Sequence, residues 1–263
     1  MKTFILVWSN KICNLNKDNH NNFWGLGDVL RGTMSMFQLS KKYNFKLIVD
    51  IQLHPISQFL KYENKEYNDL IKDNKDNIPF FYPDQVESFI RDDPRELNFF
   101  FTNNHLIEEV SEECKDFIKN ILIPKDDFSK YIEDVFKSKN IPSNYNIFHF
   151  RLGDSVLIRN EDINYNHYID IINNRKESND VLMSDSMLLK EIVMNNNINI
   201  YLFHINIVHL GFEEESNNIR DTLLEFFVTT KAQNIKTYTV YGHISGFVNI
   251  AHIIYNIPLE KIN

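Results

Sequence analysis

Two short apolar runs separated by one amphipathic stretch constrain this chain more than any other feature in it. Phe4-Ile5-Leu6-Val7-Trp8 is apolar throughout and flanked by polar residues, so it reads as a buried strand. Across residues 28–43 the apolar positions Val29, Leu30, Met34, Met36, Phe37 and Leu39 recur at roughly helical spacing. Residues 46–51, KLIVDI, form a second strand-like run. Strand, loop, helix and strand make a βαβ unit, and strands joined through a helix lie parallel.

The alternation resumes after residue 146. Residues 146–150, 181–183, 199–203 and 235–240 read as strands, and 162–172, 187–194, 219–229 and 246–255 as helices. Asp185 or Ser186 is placed to cap the second of these helices. Between the two alternating regions the pattern is weaker. Residues 99–102 read as a strand, 106–122 and 128–136 as helices, and the Asn-, Asp- and Lys-rich stretch 64–83 as surface loops. Residues 137–146, KSKNIPSNYN, carry turn formers and little apolar content, as a linker does. No repeat of 20–50 residues is visible. The expected fold class is therefore α/β, with two Rossmann-like domains, residues 1–138 and 146–263, facing a cleft. A ligand is expected in that cleft, at the carboxyl ends of the strands.

Length and composition set the outer bounds. The chain has 263 residues, is 43% hydrophobic and holds 21 Phe and 12 Tyr, enough for one large or two small cores. A formal net charge of −8 argues against a nucleic-acid partner but leaves room for a local basic pocket. Cys13 and Cys114 form no CxxC or Cys/His cluster, so no zinc site is expected, and two free thiols fit a reducing compartment. The run at 4–8 is too short for a signal-peptide core or a membrane span, so no membrane span is expected and the location is expected to be cytoplasmic. Heavy use of Asn, Ile and Lys, with Ala only at 232 and 251, suits a very AT-rich genome such as that of some large DNA viruses, protists or bacteria.

Two stretches carry residue types suited to chemistry. Trp24-Gly25-Leu26-Gly27-Asp28-Val29-Leu30-Arg31-Gly32 lies between a strand and a helix. Glycines there admit a ligand close to the backbone, and a helix N-terminus offers free N–H groups to an anion. The full GxGxxG fingerprint is absent, because position 30 is Leu. A tight turn with Asp28 as helix N-cap explains the stretch equally well. Arg31 is either a solvated residue or one that reaches back to the loop. The second stretch is Ile147-Phe148-His149-Phe150-Arg151-Leu152, closed by Gly153-Asp154. It places Arg151 at the carboxyl edge of a strand, with His149 on the same face. A guanidinium offers a planar fork of donors that matches a phosphate. A structural Arg151–Asp154 pair beside a core histidine is the competing reading. His209 and His243 each stand near an expected strand end, where a crevice lies.

His149-Phe150-Arg151-Leu152-Gly153-Asp154 resembles the H-x-R-R-x-D segment of the α1,2-, α1,6- and protein O-fucosyltransferase superfamily. Further resemblances follow in the same order. Val181-Leu182-Met183-Ser184-Asp185-Ser186 is similar to the strand and S-D-D/S segment. Residues 221–227, DTLLEFF, are similar to the D-x-x-L helix segment, with Glu225 where an Asp is expected. Ser245-Gly246-Phe247 resembles the S-x-F turn that opens the last helix. Gly25-Leu26-Gly27-Asp28 resembles the G-x-x-G-N loop. Leu152 stands in place of the second Arg, and Asp28 in place of the Asn.

The resemblance implies a two-domain GT-B-type fold and metal-independent, inverting transfer of a sugar, fucose first among the candidates, from a GDP-sugar to a glycan or protein acceptor. It implies an acceptor-side first domain and a donor-binding second domain. Arg151 would contact the donor diphosphate as the catalytic group. Gly25, Gly27, Asp28, Arg31, His149, Gly153, Asp154, Ser184, Asp185, His209, Glu225, Ser245, Gly246 and Phe247 would shape the donor site. No cofactor is implied, and the chain contains no Asp-x-Asp motif. The residues leave the acceptor's general base open between several carboxylates, His20 and His54. A catalytically inactive nucleotide- or glycan-binding relative of the same fold is the alternative.

Overall fold

The computed structural model describes residues 1–9, 25–153, 163–205, 207–208, 210 and 215–262. Asp154 and His209, both expected at the donor site, lie outside the described residues, as do Cys13 and His20. Chain contacts divide the molecule into two compact units, 1–125 with 210–214, and 126–209 with 215–263. The division falls before residue 126, whereas the linker-like stretch starts at 137. Among the described residues no helix is long and apolar enough to cross a membrane.

The first unit is built on three parallel strands, β1 (Thr3–Val7), β2 (Lys46–Asp50) and β3 (Leu97–Phe100), in the order β2-β1-β3. The central strand is buried along Phe4, Ile5, Leu6 and Val7, as expected when both faces of a parallel strand are covered. The helix that follows β1, α1 (Leu26–Tyr43), is 18 residues long and buried almost without break from Gly32 to Ser40. Lys41 and Lys42 in its last turn oppose the helix dipole, and Asn44 ends it in the left-handed region at φ 52°. Gly32 is required by a close approach: a Cβ there would lie 2.1 Å from the carbonyl oxygen of Thr102.

Several boundaries differ from the sequence expectation, each for a local reason. The stretch 64–83 contains the short α2 (Asn68–Asp73), and Pro83 opens α3 (Pro83–Asp92) as its first residue. β3 starts two residues before the expected run, and Phe101 leaves it to bridge Phe80, with Phe81 N–H donating to the Phe101 carbonyl at 3.0 Å. The helix expected from 106 begins only at α4 (Glu112–Ile121), because the Ser111 hydroxyl accepts the Cys114 N–H and caps it. The backbone before it is held by Gln38, which donates to the Glu108 carbonyl at 2.8 Å and accepts from the Ile107 N–H at 3.0 Å. Cys114 is a free, buried thiol, its pKa pushed up to about 12 by desolvation.

The second unit opens with α5 (Asp126–Ser138), which packs on a later helix, α8 (Ser216–Thr229). Phe128 meets Phe227 edge-on at 5.7 Å, and the Tyr131 hydroxyl donates to Asp221 at 2.8 Å. These contacts explain why α5 belongs here and not with the first unit. Five parallel strands follow: β4 (Asn146–Arg151), β5 (Asp180–Ser184), β6 (Tyr201–Leu202), β7 (Ile235–Thr239) and β8 (Leu259–Lys261). Their order is β6-β5-β4-β7-β8, so the chain winds outward from β4 in one direction and then, from β7, in the other. This is the doubly wound order with its switch point between β4 and β7, where open α/β sheets bind ligands.

Helices cover both faces of this sheet. Between β4 and β5 lies α6 (Asn166–Arg175), and after β5 comes α7 (Met187–Asn195). Phe148, Phe150 and Leu152 of the β4 segment pack with Tyr168, Ile172, Leu189 and Val193 from those helices. On the opposite face, His149 stacks on Phe247 of α9 (Gly246–Tyr255), and Phe247 meets Phe226 of α8 edge-on. Truncating a ring such as Phe148 or Phe150 to Ala would cost about 3–5 kcal/mol. The buried Asp180 pairs with Lys236 at 3.2 Å and fixes β5 relative to β7 across β4.

Candidate functional site at the switch point of the second sheet

His149 and Arg151 are the titratable residues of β4, and alternation puts them on one face. Arg151 lies at the carboxyl edge in register with Thr239 of β7. Its guanidinium forms an ion pair with Asp185, whose side chain is 5% exposed against 18% for Arg151. Asp185 also accepts the backbone N–H of Leu152 at 2.8 Å and that of Gly153 at 3.0 Å. One carboxylate thus gathers three donors and fixes both the turn after β4 and the direction of the Arg. Gly153 sits at φ 102°, and a Cβ there would approach the Tyr241 hydroxyl oxygen to 2.9 Å, so only glycine suits this turn.

His149 is a neutral group. Its Nδ1 lies 2.9 Å from the Thr237 hydroxyl, and its ring stacks on Phe247. Desolvation first, then the Arg151 and Lys190 charges, lower its pKa to about 3. It can exchange a hydrogen bond but brings no positive charge at neutral pH.

Ser245 precedes α9 and is buried, and its side chain makes no capping bond to the first turn. Among the described residues Ser245 thus leaves the helix N-terminus without a bond from its own N-cap side chain, and Gly246, exposed, opens the helix without a side chain in the way. Because Phe247 packs on His149, this N-terminus lies on the Arg151 face of β4. A guanidinium and the opening turn of a helix, both positive in sign, therefore lie on one face of β4. This arrangement can hold an anion and stabilise charge that develops on it.

Ser184, Asp185 and Glu225 are brought near one another but play unlike parts. The Ser184 hydroxyl accepts the Ser186 N–H at 3.0 Å, and Ser186 caps α7 by accepting the Leu189 N–H at 3.2 Å. The Glu225 carboxylate is 2.6 Å from the Lys190 ammonium, and both side chains are buried. Burial raises the Glu225 pKa, against the lowering pull of Lys190. Lys190 also donates to the Ile205 carbonyl at 3.3 Å. Among these, Asp185 touches Arg151 directly, and Glu225 is engaged by a cation from α7.

In the first unit, α1 begins at Leu26 with Gly25 as its N-cap, so Asp28 does not take the capping position that the tight-turn alternative gives it. Asp28 lies in the first turn and pairs with Arg31 at 2.8 Å. Arg31 also donates to the Asn103 carbonyl at 3.3 Å, which draws it towards the carboxyl end of β3. Gly25 and Gly27 flank the opening of that helix. His54 is buried, its Nδ1 accepts the Ile56 N–H at 3.3 Å, and desolvation lowers its pKa to about 4. Enclosed in this way, His54 is a core residue.

Tyr241, Thr237 and Lys190 have no role in the sequence expectation. Tyr241 follows β7, with the Arg151 guanidinium carbon 6.0 Å over its ring and the His243 ring stacked on it at 5.4 Å. Register signals Thr237, since it pairs with His149 across β4 and β7, but register needs the strand order. Among the described residues no group of three or more His, Cys, Asp or Glu is arranged to hold a metal ion.

No protein-family model matches the sequence, and no curated protein matches it. Solved structures do share the fold. The α-1,6-fucosyltransferase NodZ co-crystallised with GDP aligns with a TM-score of 0.57 at 12% identity, covering 100% of this chain and 95% of that one. Fucosyltransferase NodZ from Bradyrhizobium aligns at 0.59 and 12% identity, covering 100% and 94%. A variant of Arabidopsis thaliana FUT1 in complex with GDP aligns at 0.61 and 10% identity, covering 99% of this chain and 70% of that one. The chain has the fold of these enzymes.

Proposed function

We propose that the protein is a glycosyltransferase of the fucosyltransferase type, moving a sugar from a GDP-sugar to a glycan or protein acceptor. The observation that carries this reading is the Arg151–Asp185 pair at the switch-point edge of β4, on the same face as the opening turn of α9. The shared fold with fucosyltransferases supports it, since the solved NodZ was crystallised with GDP and, in another crystal, soaked with GDP-fucose. The order of the HFRLGD, MSDS and SGF stretches supports it independently.

The chemistry follows from charge. As GDP leaves the anomeric carbon, negative charge grows on the β-phosphate. A guanidinium already held in direction, together with helix N–H groups, stabilises that charge without having to reorganise during the step. In this reading the leaving group is stabilised by protein groups alone; the acceptor hydroxyl attacks the anomeric carbon from the opposite face, with inversion, as the bond to the β-phosphate oxygen breaks, and its proton passes to a general base. Fucose is the sugar favoured by the resemblance.

The test uses the full chain. GDP is expected to raise the melting temperature of the wild type, and Arg151→Lys to remove most of that rise. GDP-fucose incubated with a panel of glycan and peptide acceptors is expected to release GDP, with loss of the Arg151 guanidinium lowering the rate about 100- to 1,000-fold. A wild type that binds GDP yet turns over no GDP-sugar would favour an inactive binding relative. Binding of UDP or ADP as tight as that of GDP would overturn the choice of donor.

A further inference from the structure

We infer that Tyr241 is a positioning residue for Arg151: the guanidinium lies over its ring while Asp185 holds the guanidinium by an ion pair. The inference concerns the site proposed above and rests on that reading for its ligand. Arg151 places its guanidinium carbon 6.0 Å over the Tyr241 ring centroid and pairs with the Asp185 carboxylate. A cation is attracted both by a carboxylate and by the face of an aromatic ring, and here the two come from different strand ends.

The ring is itself held. Thr239 Oγ1 accepts the Tyr241 N–H at 3.2 Å, and His243 stacks on the ring at 5.4 Å with planes 17° apart. Its hydroxyl lies over Gly153, the residue whose N–H goes to Asp185. The backbone continues the link, because Val240 N–H donates to the Arg151 carbonyl at 3.1 Å. Tyr241 therefore ties the end of β7 to the turn after β4, and what it stabilises is the direction of one side chain. A long cation left to sample its rotamers would have to be ordered when an anion arrives, at the expense of affinity.

The test reads the Arg151 side chain with and without ligand. In the ¹⁵N-labelled full chain, the Arg151 Nε–Hε resonance, assigned by its loss in Arg151→Lys, is expected to carry a ring-current shift. Tyr241→Phe keeps that shift and Tyr241→Leu removes it, with Tyr241→Met as the second variant should the Leu protein not melt cooperatively. GDP affinity by calorimetry is expected to fall about tenfold in Tyr241→Leu and to stay within about twofold in Tyr241→Phe. In an Arg151→Lys background, Tyr241→Leu is expected to change affinity less than about twofold. An Arg151 resonance unmoved in Tyr241→Leu, or an equal loss of affinity in both backgrounds, overturns the inference. A resonance that moves as expected in a wild type that binds no GDP leaves the positioning intact and removes the proposed donor.

Discussion

Asp185 binds Arg151 through its guanidinium and, with the same carboxylate, the backbone of the two residues that follow it. The ion pair and the turn are therefore one unit: whatever loosens the carboxylate loosens both. Asp185→Asn keeps the shape but offers one acceptor oxygen to three donors. It is expected to cost about 2 kcal/mol of stability, read as a lower urea midpoint at unchanged slope, and to weaken GDP binding as well. A variant with wild-type stability and affinity would show that the carboxylate organises neither.

Gly153 makes a sharper test of the same turn. At φ 102°, and with the Tyr241 hydroxyl oxygen 2.9 Å from where a methyl carbon would stand, Gly153→Ala meets both backbone strain and a clash. About 1–3 kcal/mol of destabilisation is expected in thermal melts. Asp185→Asn and Gly153→Ala share one turn, so the double variant is expected to lose less than the sum of the two.

Stability should fall with acid in a way set by two histidines. His149 and His54 titrate near 3 and 4 in the folded chain, below the ordinary value of 6.5 that they regain on unfolding. The unfolded state then binds more protons between those limits, so stability is full above about pH 6.5 and is lost as pH falls. Each histidine removes about 2 kcal/mol by pH 5. The carboxyls of Asp50 and Glu225, raised by burial, act in the opposite sense. Urea titrations at pH 7.5 and pH 5 are expected to show a smaller loss for His149→Gln than for the wild type. An equal loss would mean that His149 is charged or exposed in the folded state.

Legibility follows locality. β1, β2, β4 and α1 are readable because one continuous pattern of apolar residues carries each. β8, only Leu259–Lys261 and bordered by Pro258, has too few residues for any period to show, and its place beside β7 is a long-range fact. α4 is shorter than its apolar pattern suggests because the side chain of Gln38, about 70 positions away, decides the path of 107–108. At the site, alternation is enough to put Arg151 and His149 together. The pairing of Arg151 with Asp185 is not readable, since Asp185 reaches it across the β4–β5 pairing, a contact between residues 34 positions apart. Tyr241 escapes a sequence reading for the same reason: only the strand order brings the end of β7 to the end of β4.

Glu225 shows how a motif position and a physical role can separate. Its place in the DTLLEFF helix suggests a contact with the donor, yet its carboxylate is buried 2.6 Å from an equally buried Lys190. Removing one member leaves a buried charge unmatched, so Glu225→Gln is expected to destabilise by about 3–5 kcal/mol. Replacing both, as Lys190→Met with Glu225→Leu, removes the unmatched charge and is expected to recover most of that loss. The two outcomes separate the roles. If the double variant recovers its melting temperature and its GDP affinity, the pair is a packing element. If it recovers stability but not affinity, the carboxylate or the ammonium also contributes to the ligand site. Calorimetry with GDP on the refolded double variant decides between them.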